Sequence, residues 1–209
     1  MSQFFVIHPE TPQKRLILQA AKIIHGGGVV VYPTDSSYAL GCRIGDKNAI
    51  DRIRLLRRLD DRHHFTLACR DLSDLGTYAQ VDNSVYRILK SHTPGPYTFL
   101  LKATREVPRR LQHPKRKTVG LRVPGNIIAN ALLEELGEPI CTTTMQLPDE
   151  ETPMTDPYEI KDILGHQLDL IIDGGYCDME STTVIDFSDH TPSLVRLGKG
   201  EVASLGLAE

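Results

Sequence analysis

A chain of 209 residues, 40% apolar and 24% charged, can bury a substantial core without disulfide or metal staples and reads as one globular domain. A net charge of −3 argues against a uniformly basic binder, and no apolar window approaches the length of a membrane span. The start, Met1 to Pro9, has neither the basic segment nor the apolar region of a signal peptide, so a cytoplasmic location is expected, and the well-separated Cys42, Cys69, Cys141 and Cys177 are expected to be reduced thiols.

Thr11-Pro12 predicts a capped helix running to about His25, which Gly26-Gly27-Gly28 ends. Val29 to Tyr32 predicts a short buried strand, stopped by Pro33. Lys47 to Arg58 reads as a helix with Ile50 and Ile53 facing inward and arginines outward, and Phe65 to Cys69 reads as a strand. Short helices follow at 71–78 and 83–90. Strands are expected at 98–103, after the breaker Pro94-Gly95-Pro96, and at 118–123, before Pro124. Asn126 to Leu136 is helical, closed by Gly137, and Ile140 to Thr144 is a strand. A Pro-, Asp- and Glu-rich loop over 147–156 is expected to form a mobile flap. A helix at 158–164 and strands at 168–173, 183–186 and 194–196 complete the chain. Seven or more strands, about six helices and no internal repeat predict a single α/β domain with a mixed, twisted sheet.

Charge is distributed unevenly. Residues 51–125 hold 16 Lys and Arg against 7 Asp and Glu, whereas the remainder holds 8 against 20. Three clusters carry the excess: Arg52/Arg54/Arg57/Arg58/Arg62, Arg105/Arg109/Arg110 and Lys115-Arg116-Lys117. A basic face on an acidic protein suits a polyanion such as RNA or a nucleoside triphosphate, and a solvated helix face accounts for any one cluster equally simply. On this pattern Arg52, Arg54, Arg58, Lys115, Arg116 and Lys117 are expected to touch phosphates of tRNA or double-stranded RNA, since no aromatic stacking platform accompanies them.

No phosphate-cradling glycine loop, dinucleotide fingerprint or nucleophile triad is present. Adjacent residues of a strand face opposite ways, so His63-His64 is not expected to hold a metal. Strand ends rich in hydroxyls or carrying arginine remain. After Tyr32-Pro33 come Thr34, Asp35, Ser36, Ser37 and Tyr38, which suit either a ligand crevice at the carboxyl end of a strand or a turn hydrogen-bonded to itself.

Five strings occur in one order along the chain: Tyr32-Pro-Thr-Asp-Ser-Ser-Tyr-Ala-Leu-Gly-Cys42, Pro94-Gly-Pro-Tyr-Thr98, Gly120-Leu-Arg-Val-Pro124, Thr182-Thr-Val-Ile-Asp186 and Arg196-Leu-Gly198. Together they resemble the YrdC family, synthases of threonylcarbamoyl-adenylate for a tRNA modification, and most closely its YciO branch. The resemblance implies a twisted α/β sheet around a concave, basic cavity. It also implies a reaction of L-threonine, bicarbonate and ATP that proceeds by positioning and charge neutralisation, without a nucleophilic side chain and without a protein metal site, Mg²⁺ arriving with ATP. Matching positions place Thr34, Arg122 and Thr182 on the threonine side, with Arg122 gripping the carboxylate, and Arg57, Thr118, Thr143 and Arg196 on the nucleotide side.

The sequence also departs from the family. The Lys-x-Arg-Pro string reads Arg57-Arg58-Leu59-Asp60, the motif asparagine falls at His63, a later histidine at Ala68, and the asparagine of Ser-x-Asn at Met145. Leu59 cannot donate to a phosphate, and one lost charge-assisted hydrogen bond is worth about 1.5–3 kcal/mol. Weakened synthase activity is therefore expected, with an RNA-binding module of altered chemistry as the alternative.

Overall fold

The computed structural model describes residues 2–60, 63–189 and 191–205, so Arg62 of the first basic cluster lies outside the described residues. In chain order the elements are β1 (Gln3–Val6), α1 (Lys14–His25), β2 (Val30–Tyr32), β3 (Ala39–Arg43), α2 (Lys47–Arg57), β4 (Thr66–Ala68), α3 (Leu72–Tyr78), α4 (Asn83–His92), β5 (Tyr97–Lys102), β6 (Thr118–Arg122), α5 (Ile127–Leu136), β7 (Ile140–Thr144), α6 (Pro157–Leu164), β8 (Leu170–Asp173), β9 (Thr183–Asp186) and β10 (Ser193–Arg196). The ten strands form one mixed sheet in the order β1-β8-β2-β3-β7-β4-β6-β5-β9-β10.

Five helices begin on an acid or amide that caps the first turn: Asp46, Asp71, Asp82, Asn126 and Asp156 each accept a backbone N–H. Helix α1 departs from this pattern. It starts at Lys14 with Gln13 at the cap position, whose Oε1 accepts from His8 N–H at 3.1 Å rather than capping the first turn; Thr11, the expected cap, lies ahead of the helix with its hydroxyl bonded to His8 Nδ1.

The apolar run Val29 to Tyr32 is buried on both faces of the sheet. Val29 and Val31 join the larger core, beneath α2, α3, α4 and α6; Val30 and Tyr32 join the smaller one, beneath α1 and α5. The second face is covered unequally. Ala20, Ile24, Ile128 and Leu132 of α1 and α5 pack over Val30, Leu170 and Ile172. Farther along that face, the row Gly41–Thr142–Thr66–Gly120–Leu100–Asp186, set by strand register, is polar or bare except at Leu100, and Thr142, Thr66 and Leu100 line a cavity.

Two strands are additional to those expected. β1 is a sheet edge whose only partner, β8, lies far along the chain. β3 contains Ala39 and Gly41, poor strand formers, and is held by antiparallel pairing to β2 and β7 on either side. Gly41 is needed there: a Cβ would lie 2.8 Å from the Tyr32 ring and 2.6 Å from Ile140 Cγ2. The open space lets Tyr32 reach across to Thr142 Oγ1 at 3.1 Å. The segment 147–156, expected as a flap, is tied down: Met154 is buried, its N–H donates to the Met145 carbonyl at 2.8 Å, and the Thr155 carbonyl accepts from Cys177 N–H at 3.1 Å. No helix among the described residues is long and apolar enough to cross a membrane.

Candidate functional site

The cavity, of about 200 Å³, is walled by residues from the Thr34–Tyr38 turn and by strands β4, β5, β6, β7, β9 and β10. Nine hydroxyl side chains line it: Ser36, Ser37, Tyr38, Thr66, Thr98, Thr142, Thr143, Thr144 and Thr182. Two guanidinium groups, Arg122 and Arg196, and the imidazoles of His63 and His64 complete its polar wall. The lining is thus chiefly a hydrogen-bonding surface, with Arg122 already matched by a carboxylate.

Arg122 ends β6 and is nearly buried, and its partner is Asp35, whose Oδ1 accepts from Nη2. The other carboxylate oxygen of Asp35 accepts from Gly125 N–H at 2.8 Å, which fixes it in place. Asp186, a core carboxylate that could have paired with Arg122, takes Arg116 instead, at 3.1 Å. Arg122 Nε is buried and has no hydrogen-bond partner among the described residues. A buried, unpaired guanidinium N–H is expensive unless something fills it.

Thr34 does not line the cavity. Its hydroxyl donates to the Ser37 carbonyl at 2.6 Å and accepts from Ser36 N–H at 3.1 Å, the self-bonded turn that its sequence also permits. The turn presents Ser36 and Ser37 to the cavity in its place. Thr182, before β9, shares a hydrogen bond of 2.9 Å with Thr98 of β5, and its carbonyl accepts from Arg196 Nη2 at 2.9 Å. Arg196 reaches this position because Gly198 lies against the chain ahead of β9: a Cβ at 198 would lie 2.2 Å from the Ser181 carbonyl oxygen. Burial draws the Arg196 guanidinium below its ordinary pKa.

Of the remaining nucleotide-side positions, Thr143 lines the cavity, whereas Arg57 and Thr118 do not. Thr118 is buried at the start of β6, on the face of Gly120 and Arg122 but beyond the cavity wall. Arg57 is half-buried. Its Nη1 donates to the Thr144 carbonyl at 2.7 Å and to Thr143 Oγ1 at 3.3 Å, its Nη2 donates to Gln146 at 3.2 Å, and its Nε is buried without a partner among the described residues.

The residues that break the family pattern fall in different settings. Leu59 packs against the larger core, Met145 and Ala68 are fully buried, and Asp60 is exposed. His63 alone of these lines the cavity, with Nε2 3.0 Å from Thr143 Oγ1. Burial, then the Arg57 and Arg54 cations, pushes its pKa down to about 4, so the ring is neutral near pH 7. His64 lines the cavity as well and packs its ring against His113 at a tilt of 33°, ring centroids 4.7 Å apart. The two neighbours face one cavity because they precede β4 in irregular backbone, where strand alternation does not apply. No group of three or more His, Cys, Asp or Glu among the described residues is arranged to hold a metal.

The expected RNA-contacting cations are mostly engaged within the fold. Arg52 pairs with Asp169 at 2.8 Å, Arg54 donates to the Asp60 carbonyl at 2.6 Å, Arg58 pairs with Asp149 at 3.0 Å and Arg116 with Asp186. Lys115 and Lys117 are exposed and make no ion pair among the described residues. The acidic remainder of the chain therefore answers much of the basic excess internally.

The chain is similar to known proteins over most of its length. The Sua5/YciO/YrdC family model, described as "Telomere recombination", matches residues 22–198. The YciO protein of Escherichia coli (strain K12) is 61% identical over 202 residues, 97% of this chain and 98% of that one. Its crystal structure superposes with a TM-score of 0.93 over 97% of this chain and 98% of that one. A threonylcarbamoyl-AMP synthase of Nitrosococcus oceani is 33% identical over 156 residues, 74% of this chain and 83% of that one. Pyrococcus abyssi Sua5, crystallised with L-threonine, superposes with a TM-score of 0.90 at 25% identity, covering 98% of this chain and 60% of that longer one. The family thus includes threonylcarbamoyl-AMP synthases, and the comparisons do not favour a separate RNA-binding module. With a family model that matches residues 22–198 and a fold held in common with these relatives, the chain belongs to the Sua5/YciO/YrdC family.

Proposed function

We propose that the cavity binds L-threonine, bicarbonate and ATP and forms threonylcarbamoyl-adenylate, an activated carbamate for transfer to a tRNA adenosine. The observation that carries this reading is Arg122: a buried guanidinium, steadied by Asp35 on one nitrogen and unpartnered at Nε, in a cavity lined by hydroxyls. That arrangement suits the carboxylate of a small hydroxy amino acid. The names of the Nitrosococcus and Pyrococcus relatives point the same way.

In this reading the remaining Arg122 donors take the threonine carboxylate, and the Thr98–Thr182 pair takes its hydroxyl. The amine condenses with bicarbonate, water leaves, and a carbamate oxygen attacks the α-phosphorus. The bond to the β-phosphate breaks and pyrophosphate departs. Arg196 and Thr143 face the nucleotide, with Arg57 supporting Thr143 from behind and Thr118 stiffening β6 below. Mg²⁺ arrives on the phosphates. Positioning and charge neutralisation supply the catalysis.

Calorimetric titration with L-threonine, coupled to ATP-dependent pyrophosphate release, tests the reading. Arg122→Lys keeps a cation beside Asp35 but removes the fork, so threonine affinity should fall about tenfold or more while the fold survives. Threonine binding unchanged in Arg122→Lys refutes the assignment.

A further inference from the structure

Thr143 stands between two partners of opposite use. Arg57 Nη1 lies 3.3 Å from its hydroxyl oxygen and has only protons to give. His63 Nε2 lies 3.0 Å away on the same oxygen. In the neutral tautomer that carries its proton on Nδ1, His63 Nε2 accepts the hydroxyl proton while Arg57 donates to the same oxygen. Arg57 is held in this orientation by the Thr144 carbonyl, which takes a second Nη1 proton, and by Gln146, which takes one from Nη2. A hydroxyl with a base on one side and a cation on the other is an activated nucleophile, and Thr143 and His63 both line the cavity.

We propose that Thr143, with His63 as its base and Arg57 as its charge support, hydrolyses acyl-adenylates in this cavity. The proposal rests on the reading of the cavity as a site for an amino acid and a nucleotide, and adds a second chemistry to it. Thr143 Oγ1 bonds to the acyl carbon while its proton passes to His63 Nε2. The bond between that carbon and the phosphate oxygen breaks, and AMP leaves with its electron pair. The imidazolium gives that proton to the departing AMP; neutral His63 Nε2 then takes a proton from the water that attacks the resulting ester and passes it to Thr143 Oγ1 as the acid is released. The sum is acyl-adenylate plus water giving acid plus AMP; for a carbamoyl-adenylate the acid is a carbamate, which falls to amine and carbon dioxide. Such a step clears activated product that no acceptor collects.

The probe is acetyl-adenylate, which needs neither threonine nor ATP recognition. The readouts are AMP release and the intact mass of acid-quenched protein. Wild type should release AMP faster than buffer and carry one acetyl group on the peptide holding Thr143. Thr143→Val should abolish both, Thr143→Ser should keep both, and His63→Gln should slow release about 100-fold. Melting curves establish that each variant is folded. No release by wild type, or release and adduct unchanged in folded Thr143→Val, overturns the proposal. Threonine calorimetry in parallel keeps the two readings apart: loss of threonine binding counts against the synthase alone.

Discussion

Replacing Asp35 by Asn separates the two roles that its carboxylate combines. The Asp35–Arg122 pair is almost fully buried, with side-chain exposures of 13% and 9%. Removing one member of such a pair leaves the other charge uncompensated, at a cost of about 3–5 kcal/mol. Asn retains an acceptor for Gly125 N–H, so the lower end applies, about 3 kcal/mol. For a chain of this size each kcal/mol moves the melting temperature by about 2–4 °C, so Asp35→Asn should melt about 6–12 °C below wild type. In the proposed reading, the carboxylate of bound threonine then becomes the compensating charge. Saturating L-threonine should therefore raise the melting temperature of Asp35→Asn by more than it raises that of wild type. Scanning calorimetry with and without threonine measures both shifts. A variant that melts with wild type would show that Asp35 is not the counter-charge; one that threonine no longer stabilises would show that Asp35 holds the ligand itself.

Other expectations follow from the same geometry. Thr182→Val strips the hydroxyl shared with Thr98 and Arg196, and should lower stability by about 1 kcal/mol and threonine affinity about tenfold by calorimetry. Gly198→Ala sets a methyl against the Ser181 carbonyl, and should cost about 1–3 kcal/mol by denaturant melt and slow pyrophosphate release as Arg196 is displaced. Leu59→Arg should lower the melting temperature without raising pyrophosphate release, because position 59 packs against the core rather than facing the cavity. His63 titrates near 4 in the folded chain and near 6.5 in the unfolded one, so the unfolded chain takes up the proton first and stability falls as pH drops from about 6.5 to 4. His63→Gln should shrink that loss, read as the difference in denaturant midpoint between pH 7 and pH 5.

Local chemistry made much of the fold readable. The Asp and Asn caps and the proline stops are written in the residues beside the elements that they bound. Likewise Arg122 and Thr182, at strand ends within distinctive strings, could be singled out without coordinates. What could not be read depends on register and on distant partners. β3 is a strand because β2 and β7 flank it, not because Ala39 or Gly41 favours extension. Thr66, Thr98 and Thr142 converge only once their strands pair, although a threonine at alternate positions on several strands was a signal available in principle. The cations of α2 look free in the sequence because Asp169, which takes Arg52, lies more than a hundred residues away. Leu59 reads as a lost phosphate ligand until the left-handed residue Arg58, with φ of 49°, ends α2 and the following side chain packs inward.

The strand order has a consequence for the making of the protein. Only three neighbouring pairs in the sheet, β2–β3, β5–β6 and β9–β10, are consecutive in the chain. Closing the other pairs costs loop entropy before any contact repays it, so the sheet belongs to the slow-folding class. Because Thr182 and Arg196 are among the last wall residues along the chain, and β9 docks on β5 rather than on its predecessor β8, a nascent chain has no complete cavity until Arg196 has been made. A ligand of the cavity therefore cannot template the folding of a chain that stops short of β10. It can only select molecules in which β10 has docked, and in the cell it should protect them from proteolysis while leaving shorter nascent chains to the chaperones.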